Sequence, residues 1–121
     1  MNDILIVDDD PDILDVTGFA VEKAGYETLF ASDGLNALKA SRQQLPDLIV
    51  LDIGLPEMDG LEATQRIREL PNHRPHIIAL TANAFASDRE ACFQAGMDDF
   101  LAKPVKKADL LGKLSEFSAA R

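Results

Sequence analysis

At 121 residues the chain is the right size for one domain with a single core, and its 46% apolar content is that of an ordered globular protein rather than a disordered one. A formal net charge of −9 argues against direct binding to nucleic acid or to an anionic membrane surface, but leaves room for a metal cation or a basic partner. No apolar run is long enough to span a membrane, Met1-Asn2-Asp3 lacks the basic region of a signal peptide, and the single cysteine, Cys92, cannot form an internal disulfide, which fits the reducing cytoplasm.

Taken in order, the first apolar run is Ile4-Leu5-Ile6-Val7. Nothing polar interrupts it, as suits a strand buried on both faces of a parallel sheet. It ends in acid, Asp8-Asp9-Asp10, and Pro11 then stands at a first helical position with Asp10 as N-cap. Leu14, Thr17, Val21 and Ala24 recur at helical spacing until Gly25 stops the helix. Glu27 to Ala31 is a short second strand. Asp33-Gly34 turns the chain into a second helix with Leu35, Ala37 and Leu38 as apolar contacts, and Pro46 ends the connection.

The third strand, led in by Asp47 and running from Leu48 to Leu51, also ends on a carboxylate, Asp52. Gly54, Pro56 and Asp59-Gly60 are turn chemistry and cannot continue it. Leu61 to Glu69 is a third helix with Leu61, Thr64 and Ile67 inward, followed by a loop from Pro71 to Pro75. His76 to Thr81 is a fourth strand that ends on a hydroxyl. Ala84 to Ala95 is a fourth helix stopped by Gly96, and Asp99 to Ala102 a fifth strand ending at Lys103-Pro104. Lys106 to Ser118 closes the chain as a helix with Leu110, Leu111, Leu114 and Phe117 inward.

Five strands alternating with five helices predict an α/β fold, a parallel sheet covered on both faces. The flavodoxin-like order 2-1-3-4-5 would put the first and third strands together at a topological switch point, where ligands bind beyond the carboxyl ends of the strands. Asp8, Asp9, Asp52, Thr81 and Lys103 all stand at such ends. Three clustered carboxylates repel one another unless a cation is present, and hard oxygen ligands suit magnesium, which completes its shell with water and phosphate oxygens. A lysine and a hydroxyl opposite them are natural partners for an anion. Together these groups describe phosphoryl transfer onto an aspartate, with charge stabilised by metal and lysine.

The stretches Ile4-Leu5-Ile6-Val7-Asp8-Asp9-Asp10, Leu51-Asp52-Ile53-Gly54-Leu55-Pro56-Glu57-Met58-Asp59-Gly60, Ala79-Leu80-Thr81-Ala82 and Phe100-Leu101-Ala102-Lys103-Pro104 resemble the receiver domain of two-component response regulators. The resemblance covers essentially the whole chain, which makes residues 1–121 a single receiver domain. Ala95-Gly96-Met97-Asp98-Asp99-Phe100 also resembles receivers attached to hybrid sensor kinases. The resemblance implies that Asp52 accepts phosphate from a phosphohistidine on a sensor kinase or histidine phosphotransfer protein. It implies magnesium bound by Asp9, Asp52 and the Gly54 carbonyl, with Asp8 acting through metal-bound water. Thr81, the Ala82 amide and Lys103 would hold the phosphoryl oxygens, and Phe100 would change rotamer as Thr81 moves. A downstream reader protein would then recognise the face formed by the fourth helix, fifth strand and fifth helix. The Lys103–Pro104 bond is typically cis in this family.

Other residues have plainer readings. Asp10 and Asp59 are caps or turn formers, His73 and His76 solvated loop residues, Cys92 a packing residue, and Lys106-Lys107 a solvated helix start. Gly54 has no side chain where many receivers carry one, and Asn83 stands where receivers differ; both flank the path of water to the phosphate. The chain ends soon after its last helix, which leads to the expectation of no output domain. An alternative is an aspartate-nucleophile phosphatase of the haloacid dehalogenase type, but that class places a second acid two residues after the nucleophile, where this chain has Gly54. A flavin-binding domain of the same architecture would need a phosphate loop after the first strand, where Asp8-Asp9-Asp10 repels phosphate.

Overall fold

A computed structural model describes residues 3–55, 58–71, 73–82 and 86–119, with backbone alone at 86–88 and 119. The elements alternate as β1 (Asp3–Val7), α1 (Pro11–Lys23), β2 (Glu27–Ala31), α2 (Gly34–Gln44), β3 (Leu48–Asp52), α3 (Gly60–Arg68), β4 (His76–Thr81), α4 (Ala86–Ala95), β5 (Asp99–Ala102) and α5 (Lys107–Ala119). The strands form one sheet in the order β2-β1-β3-β4-β5, with every neighbouring pair parallel. This is the flavodoxin-like order that the strand and helix alternation predicts.

The uninterrupted apolar strands are explained by the two cores they serve. Leu5, Val7, Ile49, Leu51, Ile77 and Ala79 point to one face and pack with Ala37, Ala63, Ile67 and Cys92 from α2, α3 and α4. Ile4, Ile6, Leu48, Val50, Ile78 and Leu80 point to the other and pack with Ala20, Val21, Leu110 and Leu114 from α1 and α5. Side chains alternate across a strand, so only a strand covered on both faces can be apolar at every position. The largest of these side chains are wholly buried, each contributing about 1.5–3 kcal/mol by removal from water.

The helix ends follow their local chemistry. Asp10, Asp33 and Asp59 each accept a backbone N–H from the first turn of the helix that follows. Gly25 and Gly96 end α1 and α4 with φ of 97° and 109°. Lys103–Pro104 is cis.

Some inward assignments shift by one helical position. Ala24 is the exposed C-cap of α1, while Gly18 and Ala20 are buried beside Thr17 and Val21. Leu35 lies in the first turn of α2 and is 58% exposed, so Ala37 and Leu38 carry that contact. The described part of α4 starts at Ala86; the expected start at Ala84 falls outside the described residues.

The largest departure is at the amino end of the sheet, where His73 and His76 are not simply solvated. His76 opens β4, half-buried, with its ring 5.3 Å from that of Phe117 and Nδ1 3.9 Å from Asp98. His73 Nε2 is buried. Beside them Arg68 donates to the Gly96 carbonyl at 2.8 Å, the Pro75 carbonyl at 2.7 Å and Asp98 Oδ2 at 2.7 Å. That same oxygen accepts the Ile77 N–H at 3.0 Å. One guanidinium thereby joins α3, the entry to β4 and the α4–β5 connection.

Candidate functional site

At the opposite end of the sheet, β1 and β3 run side by side, with Val7 level with Leu51. Their next residues, Asp8 and Asp52, are therefore neighbours. Asp8 is fully buried, Asp52 nearly so, and Asp9 exposed. One carboxylate oxygen from each of the three lies within 4.8 Å of the others, the only such acidic cluster of potential metal ligands among the described residues.

Each buried acid is held by a tight backbone turn. Asp8 Oδ1 accepts the Asp10 N–H and Asp52 Oδ1 accepts the Gly54 N–H, both at 3.0 Å. The other oxygens face Lys103, whose Nζ lies 3.0 Å from Asp8 Oδ2 and 3.2 Å from Asp52 Oδ2. Lys103 is brought there by β5, and its N–H donates to the Thr81 carbonyl at 2.8 Å. Thr81, at the end of β4, is buried, and Ala82 beside it is exposed. Asp9, Asp52, Ile53, Gly54, Thr81, Ala82 and Lys103 line an open cleft of about 460 Å³. Phe100 is half-buried on β5, with Phe93 edge-on at 6.4 Å and the Arg89 guanidinium over its ring at 5.0 Å.

The electrostatics are unbalanced. Burial raises the Asp52 carboxyl above its ordinary value; the Gly54 amide and Lys103 oppose that, and the charge of Asp8 reinforces it. Lys103 is disfavoured by burial, yet its contacts with Asp8 and Asp52 prevail and raise it above the usual lysine value. Two of the three acids, Asp8 and Asp52, share this one lysine. Three hard carboxylate donors converge with a single lysine beside them, a donor set that fits a small divalent cation such as magnesium.

The family comparison agrees with this geometry. The model of the response regulator receiver domain matches residues 4–115. The chain belongs to the response regulator receiver family.

The transcriptional regulatory protein PrrA of Mycobacterium tuberculosis is 37% identical over 92% of this receiver, which spans 47% of that relative's length. Among solved structures, the receiver domain of the sensor histidine kinase PA1611 from Pseudomonas aeruginosa is 43% identical, with a TM-score of 0.88 over 96% of each chain. That structure has a magnesium ion coordinated in its active site cleft. A putative response regulator from Chloroflexus aurantiacus is 34% identical, with a TM-score of 0.91 over 98% of each chain. The haloacid dehalogenase alternative gains no support from these matches, and Gly54 offers no second acid.

The receiver thus brings Asp9, Asp52, Gly54, Thr81, Ala82 and Lys103 to one cleft, with Asp8 buried against Lys103, and leaves Phe100 beside α4. Asn83 lies outside the described residues. Sequence reasoning missed a second, mostly apolar hollow of about 230 Å³, lined by Asp12, Ile13, Val16, Thr17, Lys103, Pro104 and Val105. Its signal was present: Val16, 70% exposed, is apolar yet off the inward stripe of α1. No described helix is long and apolar enough to cross a membrane.

Proposed function

We propose that Asp52 is the phosphoacceptor of this receiver and that the phosphoryl group comes from a phosphohistidine of a histidine kinase or histidine phosphotransfer protein. The observation that carries the reading is Lys103 bridging Asp8 and Asp52 across the strand ends, at 3.0 and 3.2 Å. An Asp52 carboxylate oxygen forms the bond to phosphorus, the phosphorus–nitrogen bond breaks, and the imidazole leaves with the electron pair. Lys103 then exchanges its contact with Asp52 for a charge-assisted one to a phosphoryl oxygen. Thr81 and the Ala82 amide, which line the same cleft, take the remaining oxygens.

Asp9, Asp52 and the Gly54 carbonyl would hold Mg2+, with Asp8 acting through a coordinated water. When bound, the ion supplies positive charge against the transferring group. The apolar hollow shares Lys103 with the cleft and is suited to seat an apolar surface of the donor protein beside it. Thr81 and Phe100 relay the change to the face of α4, β5 and α5, where a downstream reader binds. The chain acts as a self-phosphorylating and self-dephosphorylating acceptor in the cytoplasm, either alone, in a phosphorelay or within a longer regulator. Residues 1–121 serve as one receiver domain.

The test is incubation with a small acyl-phosphate donor and Mg2+, followed by peptide mass analysis. The added phosphate is expected on Asp52, and no labelling is expected when excess chelator is present from the start. Equal labelling of Asp52→Asn overturns the assignment.

A further inference from the structure

The connection from β3 to α3 carries Asp52 at one end and Gly54 two residues later, so its placement decides where the acceptor and the carbonyl at position 54 stand. Two glycines bear on it from different helices. Gly60 opens α3, and a Cβ added there would lie 2.4 Å from the Asp52 carbonyl oxygen, 2.6 Å from Ile53 Cα and 3.0 Å from the Asp52 carbonyl carbon. Gly34 opens α2, and its Cβ would lie 2.4 Å from the Met58 carbonyl oxygen. Both glycines are buried. In each case the nearest obstacle is backbone, which cannot turn aside as the end of a flexible side chain can. The backbone at Gly60 is also committed, since its N–H donates to the Ile53 carbonyl at 3.3 Å and its carbonyl accepts from Thr64 Oγ1 at 2.8 Å.

Neither glycine has a positive φ; both are required by close approach. Leu55, 5% exposed, anchors the same connection in the core. The segment is therefore pressed at Asp52 by the start of α3 and at Met58 by the start of α2. We infer that Gly60 and Gly34 are positioning residues for phosphoryl transfer: their bare Cα atoms let two helix starts seat the β3–α3 connection, so that the Asp52 carboxylate and the Gly54 carbonyl stand in register for metal and phosphate. The inference rests on Asp52 being the acceptor and deepens that reading.

By contrast, a Cβ at Gly54 would meet only Asp52 Oδ1 at 3.6 Å, and one at Gly112 would meet nothing within 4 Å. The glycines of this chain thus divide into those that seat the acceptor and those that do not.

The experiment compares the parent with Gly60→Ala, Gly34→Ala, Gly112→Ala and Arg68→Ala. It measures Mg2+ affinity from amide shifts of the unphosphorylated protein, the rate of labelling by a small acyl phosphate at saturating Mg2+, and thermal stability. Displacing a reacting group by a fraction of an ångström is expected to lower Mg2+ affinity and labelling rate about tenfold in Gly60→Ala, and about threefold in Gly34→Ala. Gly112→Ala is expected to match the parent in both. Arg68→Ala, at the far end of the sheet, is expected to lose stability while keeping Mg2+ affinity, which separates positioning from general loosening. Should Gly60→Ala fail to fold, Gly34→Ala carries the test alone. Mg2+ affinity and rate within twofold of the parent in the folded variants overturn the inference, as does an equal loss of Mg2+ affinity in Arg68→Ala. A parent that neither binds Mg2+ nor labels at Asp52 instead overturns the underlying reading of the site.

Discussion

The two ends of the sheet hold similar groups in opposite conditions. At the amino end, Arg68 and Asp98 form an ion pair at 2.7 Å with side chains only 15% and 22% exposed. Burial pulls the Arg68 guanidinium below its usual value, and the charge of Asp98 resists. The donors that Arg68 points inward reach two carbonyls and a carboxylate, so its inward hydrogen bonds are satisfied. At the carboxyl end, three acids crowd together, two of them share one lysine, and a cleft lies open beside them. A buried ion pair whose hydrogen bonds are complete is costly to break, whereas crowded like charges beside an open cleft leave room for a cation.

The largest effect that tests this contrast is chemical. Asp52→Asn is expected to abolish labelling by an acyl phosphate while leaving the fold intact. It is also expected to remove most of the Mg2+-dependent rise in melting temperature. In the parent that rise reflects linkage of about 2.7 kcal/mol at a hundredfold excess of metal over its Kd. A thermal melt series with and without Mg2+ checks this, and an unchanged metal response in Asp52→Asn contradicts it.

Next in size is the structural end. Arg68→Ala leaves Asp98 and two carbonyls without their buried donor, an expected cost of about 2–3 kcal/mol, or about 10 °C in Tm. Labelling at Asp52 is expected to persist wherever the variant is folded. A melt within a degree or so of the parent would mean that the clasp is idle.

How far each end was readable from the sequence follows the same division. An apolar run that stops on an acid is a local signal, so Asp8, Asp9 and Asp52 could be placed once the strand order was known. Thr81 and Lys103 followed by the same logic. The clasp had no local signal. Arg68 sits in the last turn of α3, where a basic residue is ordinary, and Asp98 is 30 residues away in the α4–β5 connection. His76 read as solvated because its ring contact with Phe117 depends on how α5 returns to the sheet. Leu35 and Ala24 were misplaced because apolar spacing cannot tell which residue of a helix's first or last turn faces the core. Gly34 and Gly60 read as turn residues, since close approach of a backbone is a property of the packed structure.

A smaller effect concerns pH. Burial raises the Asp52 carboxyl above its ordinary 3.8, so without metal the folded chain holds that proton more tightly than the unfolded one. Below both values the group contributes its full stability. That contribution is lost as pH rises through the folded value, leaving a buried charge above it. In chelator, Asp52→Asn is therefore expected to match the parent at the acid end and exceed it in stability toward neutral pH, by less than the Arg68 effect. Denaturant melts across that range decide it; a variant advantage that grows toward acid reverses the sign and refutes the account.

The smallest expected effect is on how long the phosphorylated state lasts. Water must approach phosphorus in line with the bond to the Asp52 oxygen, and the rate depends on whether that line is open. Gly54 is exposed at the edge of the cleft and shields nothing. A Cβ there would meet Asp52 Oδ1 at 3.6 Å, an ordinary contact, so a longer side chain enters without moving the backbone. Its N–H would still donate to Asp52, and its carbonyl would keep its place. Gly54→Met should then cover the phosphate with an apolar chain and slow autodephosphorylation by about three- to tenfold, roughly 1 kcal/mol in the barrier. The difference from Gly60→Ala sharpens the comparison within a single loop: one glycine is expected to govern access and the other to hold position. Decay of the purified phosphoprotein at fixed Mg2+, alongside a metal titration, measures it. If Gly54→Met binds Mg2+ like the parent and decays as fast, water already reaches phosphorus by a path that position 54 does not guard.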